Sequence, residues 1–309
     1  DTMPVLQQML IFFVMMAVGM YARKKNMLTK DNQAQISAIV VNIAYPAIIL
    51  SGAVSDGERI QGVDLLVAVG AACGLLVLAM IGAYLLPIIL RYPKNQRGII
   101  NVMVVFTNIG FMGVPMIDGL YGKSALIYMT VFLIPFNLLF FSYAIQTIRG
   151  KKDPNQKFSL KSLLNNGMIA CFLSIIIYLA DIRLPYFITS SIHMVGATTA
   201  PLAMMLMGSF LMDIRWSEIF TDRKIILFTI IKMIVIPVVI VFILGQFVHN
   251  NLLLAVCMAA LATPSGNVIA LLAALYNKEA YPVSVKGIAL TTLVSVFTMP
   301  LVFMLAGLE

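Results

Sequence analysis

Two short stretches of this sequence place asparagine, glycine and proline together inside long apolar runs. One reads Phe106-Thr107-Asn108-Ile109-Gly110-Phe111-Met112-Gly113-Val114-Pro115, the other Leu261-Ala262-Thr263-Pro264-Ser265-Gly266-Asn267. Proline deletes a helix hydrogen bond and glycine tolerates unwinding, so each stretch predicts an interrupted helix. Thr263 before Pro264 suits an N-cap followed by the first helical position. Two new helix starts facing each other would offer free peptide N–H groups and positive dipole ends, with asparagine amides alongside. That is a site for an anion. A single such run is equally well read as a kinked helix packed closely through glycine; the recurrence favours a site. The candidate binding residues are Thr107, Asn108, Gly110, Pro115, Thr263, Pro264, Ser265, Gly266 and Asn267. Asn42, one turn before Pro46, and Thr198, just before Pro201, would face them from other helices, and Asn137 is a further in-span amide.

Other chemistry is disfavoured. No His-Glu-x-x-His, paired Asp or Ser–Lys arrangement falls within an apolar run, so an enzyme is not expected. Cys73, Cys171 and Cys257 lie in apolar runs and suggest neither disulfides nor a metal cluster; no cofactor is expected. His193 and His249 fall in connections. The 13 acidic residues all lie in loops or near the ends of runs. A proton- or sodium-coupled pump usually needs a carboxylate deep in the membrane, so such coupling is disfavoured, with Asp64 and Asp118 the nearest candidates.

The elements that must carry these residues are membrane helices. Of 309 residues, 61% are hydrophobic and 11% charged, with a mean hydropathy of +0.97. Soluble domains run about 45–50% apolar and about 25% charged. A cytosolic enzyme, a disordered chain and a nucleic-acid binder are excluded. The runs are too long and continuous for β-barrel strands. They predict an all-α polytopic protein of ten spans: Val5–Ala22, Ile36–Val54, Leu65–Leu90, Gly98–Leu120, Ala125–Ile148, Ser162–Ala180, Thr189–Met212, Lys224–Val248, Leu252–Tyr276 and Val285–Gly307. The first run has no basic residue before it and Arg23, Lys24 and Lys25 after it, so it reads as a retained helix rather than a signal peptide. Of 21 Lys and Arg, 17 fall in connections after odd-numbered spans, three after even-numbered ones, and Lys232 falls inside a span. The positive-inside rule then puts odd connections in the cytoplasm and both termini outside, in a cell (inner) membrane. The net charge of +8 is topology and lipid contact, not a nucleic-acid patch.

The halves repeat. Pro46 with Gly52 in the second span matches Pro201 with Gly208 in the seventh. Pro87 pairs with Pro237, Pro135 with Pro300, and the fourth-span break with the ninth. Five spans per copy is odd, so the second copy, 151–309, enters from the opposite side to the first, 1–150. An inverted repeat is the usual architecture of secondary transporters.

At these residues the chain resembles the auxin efflux carrier family, which includes the plant PIN exporters and bacterial permeases linked to malate and malonate. The resemblance rests on Asn108 through Met112-Gly113-Val114-Pro115 to Leu120-Tyr121-Gly122, with support from Val40-Val41-Asn42-Ile43-Ala44-Tyr45-Pro46, Pro264, Gly266, Lys278-Glu279 and Pro282. It implies a fold like that of the sodium/proton antiporter NhaA. Helices 1, 2, 6 and 7 would be a scaffold, helices 3–5 and 8–10 would transport, and helices 4 and 9 would be broken and crossed. It also implies that Asn108 and Pro264 hold a substrate carboxylate. The chain departs from the family pattern at Thr107, where proline is usual, and in having only a short basic linker, Arg149–Lys161, in place of a large central loop.

The expected function is secondary transport of a small organic anion, a mono- or dicarboxylate, by alternating access. The expected partners are that anion and the bilayer, with a homodimer allowed. A sodium-coupled carrier of larger amphipathic acids and a carboxylate sensor that moves nothing are the rivals. Lys232, about 13 Å deep at 1.5 Å per residue from Arg223, either snorkels to the interface or serves the crossover; the crossover role is preferred.

Overall fold

The computed structural model describes residues 3–57, 59–150, 161 and 164–308. Its named elements are all helical: α1 (Met3–Lys24), α2 (Lys30–Ala53), α3 (Gly62–Ile89), α4 (Lys94–Val105), α5 (Ile109–Tyr121), α6 (Lys123–Arg149), α7 (Asn166–Leu179), α8 (Tyr186–Met212), α9 (Trp216–Phe220), α10 (Arg223–Leu244), α11 (Asn251–Ala262), α12 (Val268–Tyr276) and α13 (Tyr281–Leu305). Seven of these, α1, α2, α3, α6, α8, α10 and α13, are long and apolar enough to cross a membrane, and α5, α7 and α11 are shorter apolar helices. Apart from its ends, the basic linker read between Arg149 and Lys161 lies outside the described residues.

Helix ends follow local chemistry more than hydropathy. The second helix begins at Lys30, six residues before the apolar run. Thr29 and Asn32 form a capping box there: Asn32 N–H donates to Thr29 Oγ1 at 3.2 Å and Thr29 N–H to Asn32 Oδ1 at 2.8 Å. The seventh predicted span starts at Tyr186 rather than Thr189, behind Pro185, which fixes the entry angle. Asn165 caps α7 by accepting from Met168 N–H at 3.0 Å.

Proline shapes the interiors. Wide π turns at Val40–Ala44, Ile109–Gly113 and Ile231–Val235 each end two residues before a proline: Pro46, Pro115 and Pro237. A proline ring clashes with the carbonyl four residues back, and a widened turn there relieves the clash. Pro87, the predicted mate of Pro237, sits in a helix without such a turn.

Packing divides the helices into two sets. In one, α1 lies along the second half of α8, and α2 packs on α7 and α8. The α1–α8 contact is backbone-close: a Cβ on Gly208 would stand 2.0 Å from Met16 O, and one on Gly19 2.1 Å from Met205 O. Small residues allow this approach, and close van der Waals contact is what holds helices together in lipid. In the other set, α3 packs on α4, α6 and α10, while α13 packs on α4, α10, α11 and α12. Many large apolar side chains remain exposed around the bundle, including Leu66, Tyr84, Phe242 and Phe297, as a lipid-facing surface requires.

Candidate functional site

Both predicted interruptions are present. The chain leaves helix geometry between Val105 and Ile109, and again between Ala262 and Val268. The two unwound segments cross as a miniature antiparallel bridge at Thr107 and Ser265. Asn108 N–H donates to Pro264 O at 2.6 Å, and Gly266 N–H to Phe106 O at 3.1 Å. Unpaired backbone at this depth is costly, and each segment satisfies the other.

The side chains repeat that reciprocity. Thr107 Oγ1 donates to Ala260 O at 2.5 Å, in the last turn of α11, and Ser265 Oγ donates to Met103 O at 2.8 Å, in the last turn of α4. Each hydroxyl caps the other helix's exposed carbonyls. Ser265 N–H reaches Thr291 Oγ1 at 3.2 Å, fixing the crossing to α13. Lys232 does not snorkel. It is 1% exposed, and its Nζ donates to Thr263 O at 2.8 Å and Leu261 O at 3.2 Å.

One expectation is overturned here. Thr263 and Pro264 do not begin the new half-helix. Thr263 is the C-cap of α11, with ψ of 150°, and α12 starts only after Asn267. The Pro264 carbonyl is taken by Asn108 across the bridge, which holds the segment extended.

Beside the crossing lies a cavity of about 370 Å³, within the range of small-molecule sites. It brings together Thr107, Asn108, Gly110, Gly266, Asn267, Asn42 and Asn137 from the predicted set. Pro115, Thr263, Pro264 and Ser265 do not line it: all four are buried in or behind the crossing. Thr198 is exposed and spends its hydroxyl on Val195 O at 2.7 Å in its own helix. The cavity wall also contains residues that sequence reasoning missed: Tyr45, Asn165, Asn166 and the rings of Phe106, Phe111, Phe136 and Phe140. The doublet Asn165-Asn166 carried a signal as a helix start. Tyr45 carried none.

The wall has two characters. One part is aromatic and aliphatic. The other is amide: Asn108, Asn137 and Asn267 on one helix set, Asn42, Asn165 and Asn166 on the other. Asn166 Nδ2 donates to Asn42 O at 3.1 Å, joining α7 to α2. Asn267 Oδ1 is buried without a hydrogen-bond partner among the described residues. Among the described residues Asn108 Nδ2 has only the thioether of Met207, at 3.4 Å. The first residues of α5 and of α12 both face the space, so two positive helix ends meet there. Among the described residues no Lys, Arg, Asp or Glu lines it. Tyr45 closes one side, its ring 3.1–3.2 Å from where a Cβ would stand on Gly110 and on Gly167.

A bundle of apolar helices with two unwound segments crossing beside an amide-lined cavity is the design of a multi-pass membrane transporter. The sequence profile of the membrane transport protein family matches residues 4–303, nearly the whole chain. The chain belongs to that family, the auxin efflux carrier or PIN-like transporters. No curated protein matches it.

Proposed function

We propose that this protein is a secondary transporter that carries an organic monocarboxylate by alternating access, with the crossover cavity as its binding site. The observation that carries the reading is the wall of that cavity. Two helix N-termini and six asparagines supply hydrogen-bond donors for an anion, and among the described residues no fixed charge lines the space. A hydrogen bond to a charged group contributes about 1.5–3 kcal/mol. Neutral amides offer such bonds without the desolvation cost of a charged lining in the empty carrier. The phenylalanine-rich remainder of the wall favours an acid with an apolar body over a small dicarboxylate.

Packing supports a division into a fixed and a moving part. Helices α1, α2, α7 and α8 form the scaffold, and α3 to α6 with α10 to α13 form the transport unit. Counting α4 with α5 and α11 with α12 as broken single spans, and leaving aside the short α9, gives ten. These form two inverted five-helix repeats, 1–150 and 151–309. Both termini lie outside the cell membrane, and a homodimer is compatible with the exposed scaffold face. Ile145 and Asn165 stand near the helix ends that carry the basic connections, which supports a conformation that presents its cavity to the cytoplasm.

The test is a thermal-shift panel of mono- and dicarboxylates on purified protein, since a ligand of the folded state raises its melting temperature. Flux of the best binder in sodium-free proteoliposomes follows. Binding without flux would make the protein a sensor. A strict sodium requirement would make it a coupled carrier.

A further inference from the structure

We infer that Lys232 is a built-in counter-charge of the transport unit, and that it places the voltage-sensitive step of the cycle on the empty carrier rather than the loaded one. The inference rests on the alternating-access reading above.

Lys232 lies in the middle of α10, nine residues past Arg223, and is 1% exposed. Its ammonium meets the last carbonyls of α11 through two hydrogen bonds, 2.8 Å to Thr263 O and 3.2 Å to Leu261 O. Those carbonyls are the negative end of a helix dipole, which favours the charged amine. No carboxylate balances it. Among the described residues none of the buried polar side chains is Asp or Glu, and the ion pairs found involve other cations: Arg23, Arg59, Lys123, Arg215 and Lys286. The opposite break has no equivalent among the described residues: α4 is capped by the Ser265 hydroxyl, which carries no charge.

The amine does not line the cavity. It holds Thr263, and so the segment Thr263 to Asn267 that does reach it, which makes Lys232 a positioning residue as well as a charge. Its position fixes the electrostatics of the cycle. With a monoanion bound, the buried charges of the moving unit sum to zero. When empty, they sum to one positive charge. The remaining charges of these helices are at their ends: Asp64 begins α3, Asp118 pairs with Lys123 at 3.6 Å, and Asp222 pairs with Lys286 at 3.2 Å. A membrane potential therefore acts chiefly on the return of the empty unit.

Exchange cycles only the loaded carrier, whereas net flux needs the empty return. The test uses full-length protein in proteoliposomes with radiolabelled benzoate, a monocarboxylate with an apolar body, under imposed potassium diffusion potentials. In the wild type, net benzoate flux should change several-fold with potential while benzoate–benzoate exchange stays flat. Lys232→Arg, which keeps the charge, should behave the same way. Lys232→Met should make exchange potential-dependent. Exchange that follows potential in the wild type overturns the inference, and so does flat exchange in a folded Lys232→Met. If Lys232→Met does not fold, the wild-type comparison still decides. Absence of any saturable benzoate flux or exchange in the wild type would instead sink the carrier reading, and this inference with it.

Discussion

Asn108 in the first break is tied to Met207 of α8 through a single weak contact, Nδ2 to Sδ at 3.4 Å. The same amide lines the cavity. A bound carboxylate and the Met207 thioether therefore compete for the orientation of one amide, whose NH2 carries two N–H donors. Met207→Leu keeps the volume and removes the acceptor. Binding of the substrate should tighten by roughly two- to fivefold, corresponding to ~0.5–1 kcal/mol for a released hydrogen bond. Isothermal titration on both proteins checks this. Weaker binding would mean that Met207 orients the amide rather than competing for it.

The reciprocal caps predict a stability effect separable from affinity. Thr107→Val strips the nearer of two hydroxyl donors from Ala260 O, Thr263 Oγ1 remaining at 3.5 Å, and Ser265→Ala strips the donor from Met103 O, both in buried surroundings. Leaving a buried carbonyl short of a partner costs about 1–3 kcal/mol. Each variant should melt lower than the wild type in detergent, and the double variant lower still. Unchanged melting in both would show that the bridge alone holds the crossing.

Helix α1 should tolerate no side chain where it meets α8. A Cβ at Gly19 or Gly208 would overlap backbone at 2.1 or 2.0 Å. Gly208→Ala should therefore cost roughly 1–3 kcal/mol as an overpacking substitution. Gly70 in α3 has nothing within 4 Å, so Gly70→Ala should be neutral or slightly stabilising. Fluorescence-detected size-exclusion after heating separates the two cases, and equal losses would remove the special role given to this contact.

The breaks were legible because asparagine, glycine and proline have no reason to share a stretch of lipid-depth helix unless it opens. How the breaks close was not legible. Thr263-Pro264 has the local chemistry of a helix start, but Pro264 O is claimed by Asn108, a partner more than 150 residues earlier. For the same reason the depth of Lys232 followed from counting, while its acceptors, on a helix that follows it, did not. Asn42 and Thr198 stand in similar places before prolines, yet Asn42 lines the cavity and Thr198 turns its hydroxyl back onto α8. Each further residue turns a side chain by about 100° around a helix, and hydropathy does not fix the phase of so apolar a helix.

Orientation is tested by labelling. The connection holding Lys94 follows an odd-numbered span and the one holding Asp56 an even-numbered span, in the ten-span reading. Single cysteines at these positions, in a variant lacking Cys73, Cys171 and Cys257, should react with an impermeant maleimide from opposite faces. Position 94 should be cytoplasmic. Reaction of both from one face refutes the ten-span topology.

Substrate affinity should depend most sharply on Asn108. Its side chain makes no strong bond in the empty protein, so Asn108→Ala removes a donor to the ligand and little else. The backbone bonds that shape the break, Asn108 N–H to Pro264 O and Gly113 N–H to Asn108 O, do not involve the side chain and should persist. Losing a charge-assisted hydrogen bond of about 1.5–3 kcal/mol weakens binding by roughly ten- to a hundredfold. Asn267→Ala should have a smaller effect with a plain carboxylate, which can use its Nδ2 but leaves its partnerless Oδ1 unpaired, an acceptor that serves only an acid bringing its own donor. The ratio of the two losses is therefore informative about the ligand. A plain carboxylic acid should punish Asn108→Ala far more than Asn267→Ala, and a hydroxy- or amino-bearing acid should bring the two closer together. The measurement is dissociation constants and melting temperatures for both variants with one acid of each kind. Normal binding by a folded Asn108→Ala protein would move the site away from the crossing. A protein that simply unfolds would return the asparagine to a packing role.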